Sequence, residues 1–138
     1  MTIYLDASVV VSLFADDAHS VAAQGVVSTR DPLLISDLTA AEFASALAIH
    51  LRTGRAAEAE VRAALARFDQ WSELNALRVE VFSSDIRRAD ALIRQLDNPL
   101  RMADATHLMI AQRLGAALAT FDVVLAREAG RLGVPPGA

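Results

Sequence analysis

Thr2-Ile3-Tyr4-Leu5-Asp6-Ala7-Ser8, residues 2–8, places four β-prone residues ahead of an acid, a small residue and a serine that open an apolar segment running to about Ala15. This reads as strand, cap and helix, and the pattern recurs along the chain. Residues 19–28 are predicted helical and are stopped by Asp31-Pro32; Leu33-Leu34-Ile35-Ser36 predicts a second strand. Thr39-Ala40-Ala41-Glu42 has the Thr-x-x-Glu form of a capping box and predicts a helix to about Arg52, ended by Thr53-Gly54. Between residues 55 and 74, Val61, Leu65, Phe68 and Trp71 recur at helical spacing. Residues 76–82 alternate as a strand. Ser84 then predicts the cap of a helix striped by Ile86, Ala89, Leu92, Ile93 and Leu96 and terminated by Asn98-Pro99. Residues 102–114 are predicted helical with Gly115 as the stop, residues 116–120 form a strand, Asp122 starts the last helix, and an edge strand is expected at Val134. Strands alternating with helices imply an α/β fold: a three-layer α/β/α sandwich around a mostly parallel sheet of four to five strands, in one domain spanning residues 1–138.

Composition narrows the chemistry. The 138 residues suit one ordinary domain, and 54% apolar content supplies a core. With 28 alanines and seven aromatics, helices should dominate. The absence of cysteine excludes disulfides, thiol nucleophiles and zinc–thiolate sites. Every basic residue among the 13 is arginine, so P-loop nucleotide hydrolysis, Schiff-base chemistry and phosphorelay, which all need a lysine, drop out. A formal charge of −4 means that a nucleic-acid partner has to be held locally, against the global field. No basic leader precedes Asp6 and no apolar run approaches the ~20 residues of a membrane helix, so the expected location is cytoplasmic, away from membranes.

In parallel sheets the reactive edge lies beyond the carboxyl ends of the strands. Asp6, Asp37, Glu42 and Asp122 stand where strand becomes helix, and Asp104 opens the helix that feeds the last strand. Each has a plain alternative: Asp6 and Asp122 as N-caps, Asp104 as a first-turn acid, Glu42 as half of its capping box. Glu42, however, projects within roughly 40° of Leu38 and Ile49 on a helix apolar nearly all round, so its carboxylate calls for a partner. Two carboxylates ~4 Å apart repel by about 4 kcal/mol at an effective dielectric of 20, and a cluster must protonate, pair with arginine or bind a cation. Oxygen donors without His or Cys favour Mg2+ or Mn2+, and magnesium held this way meets phosphate oxygens, which points to phosphodiester hydrolysis.

Four segments in order, Tyr4-Leu5-Asp6-Ala7-Ser8, Thr39-x-x-Glu42, Ala103-Asp104-Ala105-x-His107-Leu108 and Leu118-Ala119-Thr120-Phe121-Asp122, resemble the signatures of the PIN domain. In length and layout the chain is similar to the VapC toxins of bacterial toxin–antitoxin pairs, over residues 3–134. The resemblance implies a metal-dependent endoribonuclease using Mg2+, with Mn2+ as a substitute, an RNA substrate, a VapB-type antitoxin as partner and a homodimer. Carried over, Asp6 and Asp104 match the principal metal ligands, Asp122 completes the site, Glu42 positions metal or water, and Ser8 and Thr120 match hydroxyls that line it.

His107 falls on the same helix face as Asp104 and reads first as a packing or hydrogen-bonding histidine; Trp71 reads as core or dimer contact, and Asp37 as a candidate fifth acid. A haloacid-dehalogenase-type phosphatase would need a second acid at position 8 and a lysine, and this chain has Ser8 and none. The remaining alternatives are a non-catalytic PIN-like module that binds RNA or protein, and acids neutralised by arginines for stability alone.

Overall fold

Strand β1 (Ile3–Leu5) is buried on both faces, as a strand covered by helices on each side must be. In the computed structural model, which describes residues 1–138, it is followed by α1 (Ala7–Phe14), α2 (Ser20–Val27), β2 (Leu33–Ser36), α3 (Asp37–Arg52), α4 (Glu58–Asn75), β3 (Ala76–Val79), α5 (Ser83–Ile93), α6 (Met102–Leu114), β4 (Ala117–Ala119) and α7 (Val123–Arg131). The strands pair in the order β3-β2-β1-β4, all parallel, with Ile3 opposite both Leu33 and Ala117. Strand alternation separates two cores. Ile3, Leu5, Leu33, Ile35, Ala117 and Ala119 pack under α1–α4, whereas Tyr4, Leu34 and Leu118 pack under α5–α7. The sheet is therefore the middle of three layers. Because β2 and β4 flank β1, the chain order reverses at β1, and the crevice beyond its carboxyl end is the usual ligand position of such sheets.

Helix α6 runs through the second core: residues 105–111 are all buried, so it is covered around its whole circumference. Gly115 stops it with φ 61°, a left-handed conformation that costs glycine nothing. No helix is long and apolar enough to cross a membrane.

Several boundaries depart from the sequence reading, among them the strand expected over residues 76–82, which ends at Val79. The cap of α3 is Ser36, not Thr39. The Ser36 hydroxyl accepts the Thr39 N–H and the Thr39 hydroxyl accepts the Ser36 N–H, both at 3.3 Å, so Glu42 sits a turn further into the helix and is no part of a cap. Ser84 lies inside α5, whose start is held by the Asp85 carboxylate accepting the Phe82 N–H at 2.8 Å. The same helix ends at Ile93, leaving Leu96 exposed with φ 58°. At the expected edge strand, Val134 is buried but Pro136 makes only a single parallel bridge with Leu118; a proline has no N–H with which to extend a ladder.

Candidate active site

Asp6 leaves β1 at the point where the strand order reverses, and it caps α1. Its Oδ1 accepts the N–H groups of Ser8 (3.0 Å) and Val9 (3.3 Å) and the Ser8 hydroxyl (2.6 Å), while Oδ2 accepts the Thr120 hydroxyl at 2.5 Å. The two hydroxyls also accept hydrogen bonds. Ser8 Oγ accepts the Phe121 N–H at 2.9 Å, tying the start of α1 to the end of β4, and Thr120 Oγ1 accepts the Asp122 N–H at 3.0 Å within the β4–α7 turn. Asp6 is 5% exposed, and burial raises its pKa despite the opposing hydrogen bonds from Ser8 and Thr120.

Asp104 stands in the first turn of α6, where its carboxylate accepts the Arg101 N–H at 3.4 Å. Burial raises its pKa first; the Arg101 N–H opposes this, and the negative charges of Asp122 and Glu42 push it further up. Those two charges place Asp104 in one electrostatic neighbourhood with Asp122 and Glu42. Its only cationic neighbour is the mostly exposed Arg101 side chain at 3.8 Å, which screening leaves weak. Asp122 caps α7, with Oδ1 accepting the N–H groups of Val124 (2.9 Å) and Leu125 (3.1 Å).

The partner of Glu42 is His107. The Nε2 atom of this buried ring hydrogen-bonds Glu42 Oε1, and its Nδ1 is 2.7 Å from the Tyr4 hydroxyl. That hydroxyl also meets Ser36 Oγ at 2.7 Å, and burial pushes the Tyr4 pKa up to about 12. Tyr4 thus keeps its proton and can donate to Nδ1, which leaves an Nε2–H to donate to Glu42. Neither link is visible in sequence spacing, since Tyr4 and His107 are 103 residues apart.

The quartet therefore gathers at one sheet edge, but it does not close into a ligand cage: no group of three His, Cys, Asp or Glu residues surrounds one point at metal-holding distance. The reason is local. Each carboxylate is held by hydrogen bonds of its own: Asp6 by Ser8, Val9 and Thr120, Glu42 by His107, Asp104 by the Arg101 N–H, and Asp122 by the N–H groups of Val124 and Leu125. In kind, the donors suit a hard divalent cation: they are all carboxylate oxygens, two with raised pKa values, and no lysine or buried arginine neutralises them. Asp37 is not among them. It is exposed and pairs with Arg78 of the neighbouring β3 at 3.2 Å.

Ser8, Glu42 and Asp122 line an open cleft of about 490 Å3 together with His19 and Phe121. A larger cleft of about 640 Å3 lies beyond Val11, between α1, α3 and α4, and carries none of the quartet.

The sequence profile of the family described as PIN domain matches residues 3–130. Ribonuclease VapC3 of Pyrobaculum aerophilum is 30% identical over 135 residues, covering 98% of this chain and 100% of that protein. In shape, the chain is similar to Mycobacterium tuberculosis VapC20, described as a sarcin–ricin loop cleaving toxin, with a TM-score of 0.70, 20% identity and 91% and 94% of the two chains covered. It is also similar to a chain in the VapBC2 structure from Rickettsia felis, solved bound to a DNA fragment from their promoter: TM-score 0.67, 11% identity, 99% and 96% covered.

Proposed function

The chain belongs to the PIN domain family, and from that premise we propose that it is a Mg2+-dependent endoribonuclease that hydrolyses phosphodiester bonds in RNA as the toxin of a toxin–antitoxin pair. The observation that carries this reading is the gathering of Asp6, Glu42, Asp104 and Asp122 at the carboxyl edge of β1, with Asp104 feeling the charge of two of the others and no lysine in reach. A relative named ribonuclease, similar over nearly the whole chain, supports the activity, and the likeness to a VapBC structure supports an antitoxin of the VapB type as partner. Cytoplasmic action and a homodimer belong to the same proposal.

Asp6, Asp104, Asp122 and Glu42 would hold the cation. When bound, Mg2+, or Mn2+ in its place, supplies a water of lowered pKa and neutralises charge on the phosphate oxygens. The chain's own residues do the positioning. Ser8 and Thr120 fix both oxygens of Asp6 by donating to them, and His107 aims Glu42 while being held by Tyr4. Asp104 and Asp122 are presented from the first turn of α6 and the cap of α7. In-line attack by water leaves a 5′-phosphate and a 3′-hydroxyl, and no lysine is required.

The test is cleavage of a mixed structured-RNA pool by the protein with Mg2+ or Mn2+, with chelator, and with the Asp6→Asn variant. Cutting at a few discrete positions that needs metal and falls by about 10²–10³-fold or more in the variant is the expected result. No cutting combined with no effect of metal on melting would return the chain to the non-catalytic reading.

A further inference from the structure

The quartet accounts for a phosphate but not for the wall of the cleft beside it. That wall is aromatic. The His19 imidazole lies almost parallel to the Phe121 ring, with centroids 4.9 Å apart and planes inclined by 15°, and both residues share the cleft with Ser8, Glu42 and Asp122. His19 is exposed and Phe121 half-buried, so the stacked pair presents an aromatic surface to solvent at the mouth of the site.

The pair is held in place from both sides. The backbone of His19 is pinned by Asp17, whose Oδ1 accepts the His19 N–H at 2.8 Å while its Oδ2 accepts the hydroxyl of buried Ser12 at 2.9 Å. Phe121 sits between Thr120 and Asp122, and its N–H donates to the same Ser8 oxygen whose proton goes to Asp6. The aromatic plane is thereby tied to the first acid through one serine. No arginine lines this cleft, so beside the acids it offers flat aromatic faces and hydroxyls rather than cations. A nucleobase is the part of an RNA that such a wall fits: every base has a π-face, and stacking on aromatic side chains recurs where proteins hold unpaired nucleotides.

We propose that His19 and Phe121 form a stacking platform for the nucleobase adjoining the scissile phosphate. This rests on the nuclease reading of the site and adds to it the residues that hold the base beside the cut. A base stacked there has left its duplex, so the platform favours unpaired over paired RNA at the cut.

The probe is a fluorescein-labelled single-stranded RNA oligomer, intact or with its bases removed as abasic residues. Binding is read by anisotropy in Ca2+, which neutralises the acids whether or not the strand is cut. His19→Ala, at an exposed ring, is expected to leave melting unchanged and to weaken binding of the intact strand by about tenfold, with His19→Trp restoring it. Phe121→Leu, which keeps apolar volume and removes the ring, gives the same direction. The abasic strand should bind the parent protein and His19→Ala alike. Equal affinity of parent and His19→Ala for the intact strand, or an equal loss on the abasic strand, overturns the platform. If the parent cuts the RNA pool in Mg2+ while His19→Ala binds unchanged, only this inference falls; if the parent neither cuts nor binds, the nuclease reading falls with it.

Discussion

Helices α5 and α6 begin in the same way and end in opposite electrostatic states. Each places an aspartate in its first turn, Asp85 and Asp104, whose carboxylate reaches back to the N–H of the residue before the helix, Phe82 and Arg101. Asp85 is fully buried, and Arg113 meets it with two hydrogen bonds, from Nε at 2.8 Å and Nη2 at 2.9 Å. The same guanidinium donates to the Glu80 carbonyl and lies 4.1 Å over the Phe82 ring. Burial pushes Asp85 up, but Arg113 and the Phe82 N–H together carry it below the ordinary carboxylate value. Asp104 is less buried, yet burial and the charges of Asp122 and Glu42 leave it raised. The two starts share an aspartate three residues past the cap and its backbone hydrogen bond; what differs is the company that the fold brings. A chain with 13 arginines pairs one first-turn acid with a guanidinium and leaves the other, like Asp6, with a raised pKa, the asymmetry on which the proposed site rests.

The strongest way to break the comparison is to remove the cation from the neutral side. Arg113→Met is expected to destabilise the fold by about 3–5 kcal/mol in urea unfolding, because it strands a buried charge. The same change in an Asp85→Asn background should cost much less. The Mg2+-induced rise in melting temperature should survive in both. Equal costs in the two backgrounds would mean that Arg113 acts by packing and that Asp85 is not a neutralised counterpart of Asp104.

At the other helix the sign reverses. Asp104→Asn keeps an oxygen to accept the Arg101 N–H and removes a like charge, so in chelator it is expected to melt higher by a few degrees, about 1–2 kcal/mol. The shift given by Mg2+ should shrink at the same time. A lower melting point in chelator with an unchanged metal shift would refute the clustered-charge reading.

The advantage of Asp104→Asn must also depend on pH, in a direction that its raised pKa dictates. The folded state binds the Asp104 proton more tightly than the unfolded chain does. The stability tied to that proton is therefore complete below the ordinary value of 3.8 and is lost as pH rises through the higher folded value. In chelator the variant and its parent should converge toward pH 3.8 and separate toward neutrality. Asp6 acts in the same sense, whereas the lowered pKa of Asp85 gives stability that is present above 3.8 and lost only as pH falls through its own, lower value. Thermal melts across pH on the parent, Asp104→Asn and Asp85→Asn separate the two regions; a gap between parent and Asp104→Asn that widens on acidification would contradict the assignment.

What could be read without coordinates was whatever the chain encodes over a few residues. The caps at Asp6 and Asp122, the bounds of α6 and its glycine stop, and the alternation of strand and helix all depend on near neighbours. They suffice for a parallel α/β sandwich, and the order of strand ends and helix starts suffices to bring the acids to one edge. The errors came where two local signals competed. Ser36 outbid Thr39 as a cap because the Tyr4 hydroxyl holds it at the end of β2, and Asp85 displaced Ser84 because Arg113 fixes it in the turn. Asp37 had the right position along the chain and the wrong direction in space, which only the neighbouring strand carrying Arg78 reveals. The Glu42–His107 link joins residues 65 apart at the carboxyl edge of the sheet, from α3 on one face to α6 on the other, and the His19–Phe121 stack joins α2's cap to the β4–α7 turn. No spacing rule reaches across such distances; they are products of the assembled core.

Glu42 sharpens the comparison further, because it alone among the quartet hydrogen-bonds a basic ring. If His107 served Glu42 as Arg113 serves Asp85, the site would be partly neutralised. The hydrogen bonds argue for orientation instead. Tyr4, with its pKa near 12, keeps a proton that it can donate to Nδ1, and the ring then has an Nε2–H for Glu42. Tyr4→Phe tests this with the smallest expected effect. It removes one hydroxyl and leaves His107 and Ser36 short of a partner, so the loss should be about 1 kcal/mol, with the metal-induced shift intact and RNA cutting reduced only several-fold as Glu42 loses its aim. A loss as large as that of Arg113→Met, together with a collapse of the metal shift, would make the Tyr4–His107 pair the counter-charge of the quartet, and the contrast between the two helix starts would then be one of degree.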